Sequence, residues 1–305
     1  MDHVSSLLQG LGNGGVFAAL ALALVLTYRS SGVINFATGA IALYAAYTYA
    51  ALRDGQLLIL IPGLPNKLDL GTRLGLWPAA LVALLLSAAL GAVLYLVVFR
   101  PLREAPQLAR AVASLGVLVV IQATMTIRLG TDPVSVKPIF PAQRWALGAI
   151  RLLSDRFYLA LAIVVLTLAL VALYRFTRFG LATRAVAESE TGAFVSGVSP
   201  DRVALLNWVI SAVVAGLAGI LIAPLTPLTP ITYTLFVIPA LAAAVVGSFQ
   251  FLGIAAAAGI IIGMLQSEAT SLATQYSWMP QSGAGELIPL IVILVTLLVL
   301  SLIHI

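Results

Sequence analysis

Cysteine is absent from all 305 residues, which excludes disulfides and thiolate metal sites. Histidine is nearly absent. His3 and His304 stand at the two ends, which argues against a histidine-based catalytic or metal centre. Charge is scarce as well: 9% of the residues are charged, against about 25% in a soluble domain. No GxxxxGK[ST] loop, HExxH, GxSxG or Ser/His/Asp set occurs, so the chain carries no phosphate cradle and no recognisable catalytic cluster. What remains is apolar. The chain is 61% hydrophobic, with a mean hydropathy of +1.10. It reads as an all-α, polytopic membrane protein. The net charge of +5 is then no nucleic-acid signal, because basic residues in membrane proteins gather at cytoplasmic loop ends. The N-terminus lacks the Lys/Arg of a cleaved signal peptide, so the first span is expected to be kept.

At about 20 residues per crossing, the apolar runs predict spans near Gly15–Tyr28, Val33–Leu52, Trp77–Phe99, Ala111–Leu129, Phe157–Tyr174, Val203–Ala223 and Leu287–Leu300. Between the last two, Leu235–Val246 is too short to cross alone. The stretch Gly247–Gly253 breaks the run and Ile254–Gln266 resumes it. A broken pair of short helices near 235–266 is expected, for about eight or nine segments in all. Non-helical backbone at membrane depth survives only against protein or a water-filled cavity, so the break is read as pathway.

Lys/Arg bias sets the orientation. The turns Arg100–Arg110 and Arg175–Arg202 carry three and four Lys/Arg and should be cytoplasmic. Pro224–Pro230 carries none and should be outside. The N-terminus is then expected outside and the C-terminus inside. The basic stretch Arg128–Arg156 falls outside in this scheme, against the rule.

Charge concentrates in Arg175–Arg202. Ala182–Ser189 reads as a short helix there, with Gly197–Pro200 as its stop and the turn into the next span. Within that span Ser211, Ala215 and Gly219 recur at four-residue spacing, and Gly259 and Gly263 form a GxxxG. Small residues let helix backbones approach in lipid, within a chain or between subunits. Intramembrane polar groups are few: Asn35, Thr38, Gln122, Asn207 and Gln266, with Glu268 near an end. Hydrogen bonding between helices is the default for each. Asn35 could also cap a helix after a kink. With no acid or base at a span centre, a proton-coupled carrier is disfavoured.

Three stretches resemble the permease subunits of branched-chain amino acid ABC transporters (LivH/LivM type). The first holds Gly32, Val33, Ile34, Asn35, Phe36, Ala37 and Gly39. The second holds Gly180, Arg184, Ala185, Ala187, Glu188, Ala193, Gly197, Ala215, Gly216, Ala218 and Gly219. The third holds Gly247, Gly253, Gly259 and Gly263. Thr38, Arg29 and Ser248 depart from the pattern, where the family commonly has His, a small residue and a second Gly. The resemblance implies one permease domain over residues 1–299 in the bacterial inner membrane. It would import branched-chain amino acids or a related small polar solute such as urea or a short amide. Its expected partners are a second permease or fused half, two ATP-binding subunits that carry the ATP and Mg, and an extracytoplasmic solute-binding protein. The loop 175–202 would be the ATPase-coupling loop. Its short helix, about Ala182–Val195, would seat on the ATPase through Arg184, Ala185, Glu188 and Glu190, with Gly197 as the turn. Asn35, Thr38, Gly39, Asn207, Gly247 and Gly253 are the candidates for the path or its kinks. Ser211, Ala215, Gly219, Gly259 and Gly263 are the candidates for helix packing. The competing reading is a secondary carrier or channel not powered by ATP. Residues 300–305, LSLIHI, match a translated sequencing adapter, so an artefact or a truncated end is expected there.

Overall fold

Apolar runs bounded by Gly, Pro and Arg fold as helices because in lipid every backbone group must be satisfied within the segment. The computed structural model describes residues 3–60, 65–147, 150–276, 279–280 and 282–303. The expectation about residues 300–305 falls partly on His304 and Ile305, outside the described residues. In chain order the helices are α1 (His3–Gln9), α2 (Leu11–Ser31), α3 (Thr38–Arg53), α4 (Leu76–Leu94), α5 (Gln107–Leu129), α6 (Ser154–Phe176), α7 (Arg178–Glu188), α8 (Glu190–Val195), α9 (Pro200–Ile222), α10 (Pro230–Leu235), α11 (Val237–Val246), α12 (Leu252–Gln275) and α13 (Leu287–Ile303). A π-helical turn, Tyr95–Phe99, closes α4. Two antiparallel hairpins lie in the connections: β1 (Gln56–Leu58) with β2 (Lys67–Asp69), and β3 (Arg144–Leu147) with β4 (Ile150–Leu153).

Six helices among the described residues are long and apolar enough to cross a membrane: α2, α4 with its π turn, α5, α6, α9 and α12. The apolar stretches Pro230–Val246 and Leu287–Val299 are shorter, as is the 16-residue α3. This agrees with the all-α reading and its approximate count. Two boundaries move. Gly32 takes φ +63 and residues 33–35 are not helical, so the second span begins its helix at Thr38 rather than Val33. The arm that resumes after the break runs 24 residues to Gln275, long enough to cross alone.

The chain forms two compact units, residues 1–25, 138–172 and 238–305 in one, 26–137 and 173–237 in the other. In the first, α12 lies against α1 and α2. A Cβ on Gly259 would come within 2.5 Å of Ala18 N, and Gly263 abuts Gly14 and Gly10. Partner numbers fall as α12 advances, so the helices are antiparallel. Gly10, Gly14 and Ala18 repeat the four-residue spacing of Gly259 and Gly263, so small residues line both sides of this contact. Glu268 lies within α12, its side chain 14% exposed, with Oε1 2.5 Å from His3 Nδ1. The α11–α12 break places Ser248 at φ +51 and Phe249 at φ +53. Left-handed backbone costs an L-residue about 1–2 kcal/mol. Ser248→Gly is therefore expected to raise the melting temperature of the purified protein, and an unchanged or lower midpoint would refute the strain.

In the second unit α9 is the centre, packed on α3 and α4. Small residues make this possible. Gly219 abuts the Ala42 backbone, Gly216 faces Ser87 and Ala45, and Gly91 of α4 faces Ala212 and the Trp208 carbonyl. Ser211 and Ala215 are buried in the same face.

Candidate functional site

The polar stretch after α6 folds as a small body of its own. Thr177 Oγ1 accepts from Gly180 N at 3.3 Å and starts α7. Ser189 Oγ accepts from Gly192 N at 3.0 Å and starts α8. Side-chain oxygens at these positions satisfy amides that a helix start leaves orphaned. The single short helix expected here is therefore two, split at Ser189. Gly197 at φ +84 makes the turn and Pro200 opens α9, as expected for residues 197–200. Val186, Ala193 and Val203 form a buried cluster with Ala182, Ala185 and Val198 packed against it. A platform of α7, α8 and the first turn of α9 results.

Asn207 ties this platform to the membrane helices. It is fully buried. Its Oδ1 accepts from the Tyr174 hydroxyl at 2.5 Å, and its Nδ2 donates to Thr183 Oγ1 at 3.2 Å and Val203 O at 2.8 Å. The residue brackets α6, α7 and α9 together. Its amide groups hydrogen-bond inside the protein.

The outward surface of the platform mixes charge with large apolar groups. Leu181 is 62% exposed, Phe194 69% and Val195 82%. Leu181, Arg184 and Glu188 share one face of α7 by their spacing. Arg184 and Glu188 are exposed and neither joins an ion pair among the described residues. Ala185 faces the small core instead. Glu190 turns back to meet Arg103, whose Nη1 also lies 2.6 Å from Asp201 Oδ1, while Arg100 Nη2 lies 3.3 Å from Asp201 Oδ2. The Glu190 carboxylate holds the Arg103 guanidinium above its ordinary pKa, with burial opposing. Its charge is constant at any physiological pH. The sequence reading missed this cluster: Arg103 and Glu190 are 87 positions apart and nothing local links them.

The two basic turns therefore lie side by side at one end of α9. At its other end, the Val134 and Leu228 amides exchange hydrogen bonds of 3.1 and 2.9 Å, and the Tyr47 hydroxyl donates to Leu228 O at 3.0 Å.

The break before α3 adjoins the basic end. Asn35 Oδ1 accepts from Ala37 N at 3.1 Å, and Thr38 Oγ1 donates to Asn35 O at 2.6 Å. Asn35 thus shapes the turn and does not cap the helix, whose N-cap is Ala37. Asn35 Nδ2 is buried without a partner among the described residues. Gly39 packs against the backbone of Tyr233 and Thr234, and Thr234 Oγ1 lies 3.3 Å from Gln122 Oε1. In the other unit, Gly247 packs against Ala255, whereas Gly253 has open space around it. Among the described residues, no three of His, Cys, Asp and Glu gather closely enough to hold a metal ion.

Residues 6–300 match the family model described as "Branched-chain amino acid transport system / permease component". The "High-affinity branched-chain amino acid transport system permease protein LivH" of Escherichia coli (strain K12) is 25% identical over 280 residues, covering 90% of this chain and 88% of that protein. The corresponding protein BraD of Pseudomonas aeruginosa is 24% identical over 224 residues, covering 72% and 70%. Among solved structures, "PsaBC from Streptococcus pneumoniae in complex with Fab" aligns over 94% of this chain and 89% of that one. Its TM-score is 0.45 and its identity 14%, too low a likeness to argue from.

Proposed function

Because the chain belongs to the family of permease components of branched-chain amino acid transport systems, we propose that it is the membrane subunit of an ATP-driven importer for branched-chain amino acids or a related small polar solute. It works as a path and not as an enzyme. The observation that carries the coupling half of this reading is the platform of α7 and α8. Large apolar side chains, Leu181, Phe194 and Val195, stand exposed beside Arg184 and Glu188, which join no ion pair among the described residues, on a segment too polar to enter lipid. Such a patch, apolar with a charged rim, fits a protein partner. On this reading the partner is an ATP-binding subunit in the cytoplasm, and both basic turns face inward as Lys/Arg bias requires. The N-terminus then lies outside, in a bacterial inner membrane. A second permease or fused half, a second ATP-binding subunit and an extracytoplasmic binding protein complete the complex, with ATP and Mg held by the ATPases. The domain spans 1–299, with Asn35, Thr38 and Gly39 the path candidates in one unit and Gly247 and Gly253 those in the other. The alternative, a carrier or channel independent of ATP, leaves the exposed Phe194 and Val195 without a purpose.

The test is co-purification. Phe194→Asp is expected to lower ATPase binding about tenfold or more, since burying an unpaired charge at an interface costs several kcal/mol. Glu188→Lys is expected to reduce uptake while leaving a monodisperse, folded membrane subunit. Normal ATPase binding and normal uptake by both variants would remove the assignment of this loop.

A further inference from the structure

Resting on the coupling assignment of α7 and α8, a link runs from that platform to the break before α3, polar at both ends and carried between them by the backbone turn into α5. Glu190, the first residue of α8, meets Arg103. Arg103 sits in the turn that leads directly into α5. Three side chains on one face of the first two turns of α5 then hold the broken segment. Gln107 Nε2 donates to Gly32 O at 3.2 Å, Arg110 Nη1 donates to Ser31 O at 2.8 Å, and the Ser114 hydroxyl donates to Ile34 O at 3.1 Å and accepts from Phe36 N at 3.3 Å. Their spacing of three and four residues is that of a single helical face. The Gln107 and Ser114 contacts fall on the interrupted residues 32–37 and the Arg110 contact on Ser31, the last residue of α2, and a crevice bordered by Val33, Arg103, Arg110 and Glu190 lies between the pieces.

We propose that Arg103 and the Gln107–Arg110–Ser114 face of α5 transmit displacement of α8 to the Gly32–Ala37 break, so that the break is what opens when the ATPases close. Arg103 is a positioning residue in this scheme. Its fork bridges two carboxylates at once, Glu190 on α8 and Asp201 on α9, a geometry that Lys cannot reproduce. Release of Glu190 with Asp201 kept would give the platform two discrete arrangements to choose between. Each of these pairs is partly exposed, so its individual contribution to stability is small. Arg103 is 37% exposed at its side chain and Glu190 51%.

The chain has no cysteine, so Val33→Cys would give it a single thiol, at a position now 2% exposed. In the reconstituted complex, N-ethylmaleimide labelling of that thiol is expected to change about fivefold or more between the nucleotide-free state and ATP plus vanadate, the usual lower range of an allosteric coupling. Adding Arg103→Gln should abolish the change while the ATPase subunits still co-purify. Arg103→Lys should keep part of it, and Ser114→Ala should reproduce the loss if Arg103→Gln fails to assemble. An undiminished change in both Arg103→Gln and Ser114→Ala would overturn the link, as would no change in Val33→Cys alone with ATPases bound. Absence of any bound ATPase would overturn the coupling assignment itself, and this link with it.

Discussion

Gly219→Val is expected to leave little or no folded protein in detergent, the largest single-residue effect anticipated for this chain. A Cβ at Gly219 would overlap the Ala42 carbonyl, which is backbone and has no rotamer to yield. Helices α3 and α9 would have to separate along the most extensive helix contact in the second unit. Overpacking a well-fitted core costs about 1–3 kcal/mol when side chains can give, and here they cannot. Separation gains nothing in return, because lipid exerts no hydrophobic force that would reseal the gap. With total stabilities of about 5–15 kcal/mol, the expected readout is loss of the monodisperse peak in size-exclusion chromatography. Gly253→Ala is the control, since a Cβ there meets nothing within 4 Å. Equal melting midpoints for Gly219→Val and the parent would refute the packing argument.

The same contrast explains what could be read in advance. Spans were legible wherever a run of apolar residues met Gly, Pro or Arg, because the bilayer rewards length and apolarity alone. The small-residue spacing at Ser211, Ala215 and Gly219 was legible for the same reason. Its partner surfaces, Ala83, Ser87 and Gly91 on α4 and Gly10, Gly14 and Ala18 opposite α12, carry the same period and were readable with equal right. The late start of α3 was only half legible. Gly32 and Asn35 announce a disturbance, but the segment is held by Gln107, Arg110 and Ser114 from a different helix, and no local pattern encodes that. Ser248 was visible as the residue standing where a second Gly is common. Its positive φ gives the physical reason that a Gly suits the place. The Arg103 cluster was illegible, because ion pairs between distant turns leave no period in either turn.

Asn207→Leu is the second large effect expected, and it separates folding from coupling. The substitution keeps the branched shape, at a larger volume, and removes both the acceptor of the Tyr174 hydroxyl and the donor to Thr183. A buried polar group left without a partner costs about 1–3 kcal/mol. Leucine also fits the apolar surroundings, so the membrane bundle is expected to survive with a melting midpoint several degrees lower. The platform loses its fixed angle on α9, and uptake is expected to fall at least about tenfold, which corresponds to 1.4 kcal/mol, while ATPase subunits still bind. Adding Tyr174→Phe tests the cause. If the stranded hydroxyl is the source of the thermal loss, Tyr174→Phe in the Asn207→Leu background raises the midpoint, although Tyr174→Phe alone lowers it. Such a sign change is what a direct pair produces in a double-mutant cycle. Uptake would stay low in the double variant, because the Thr183 tether is still missing. Recovery of uptake along with stability would assign the whole effect to the hydroxyl and leave α7 without a need for its tether to α9.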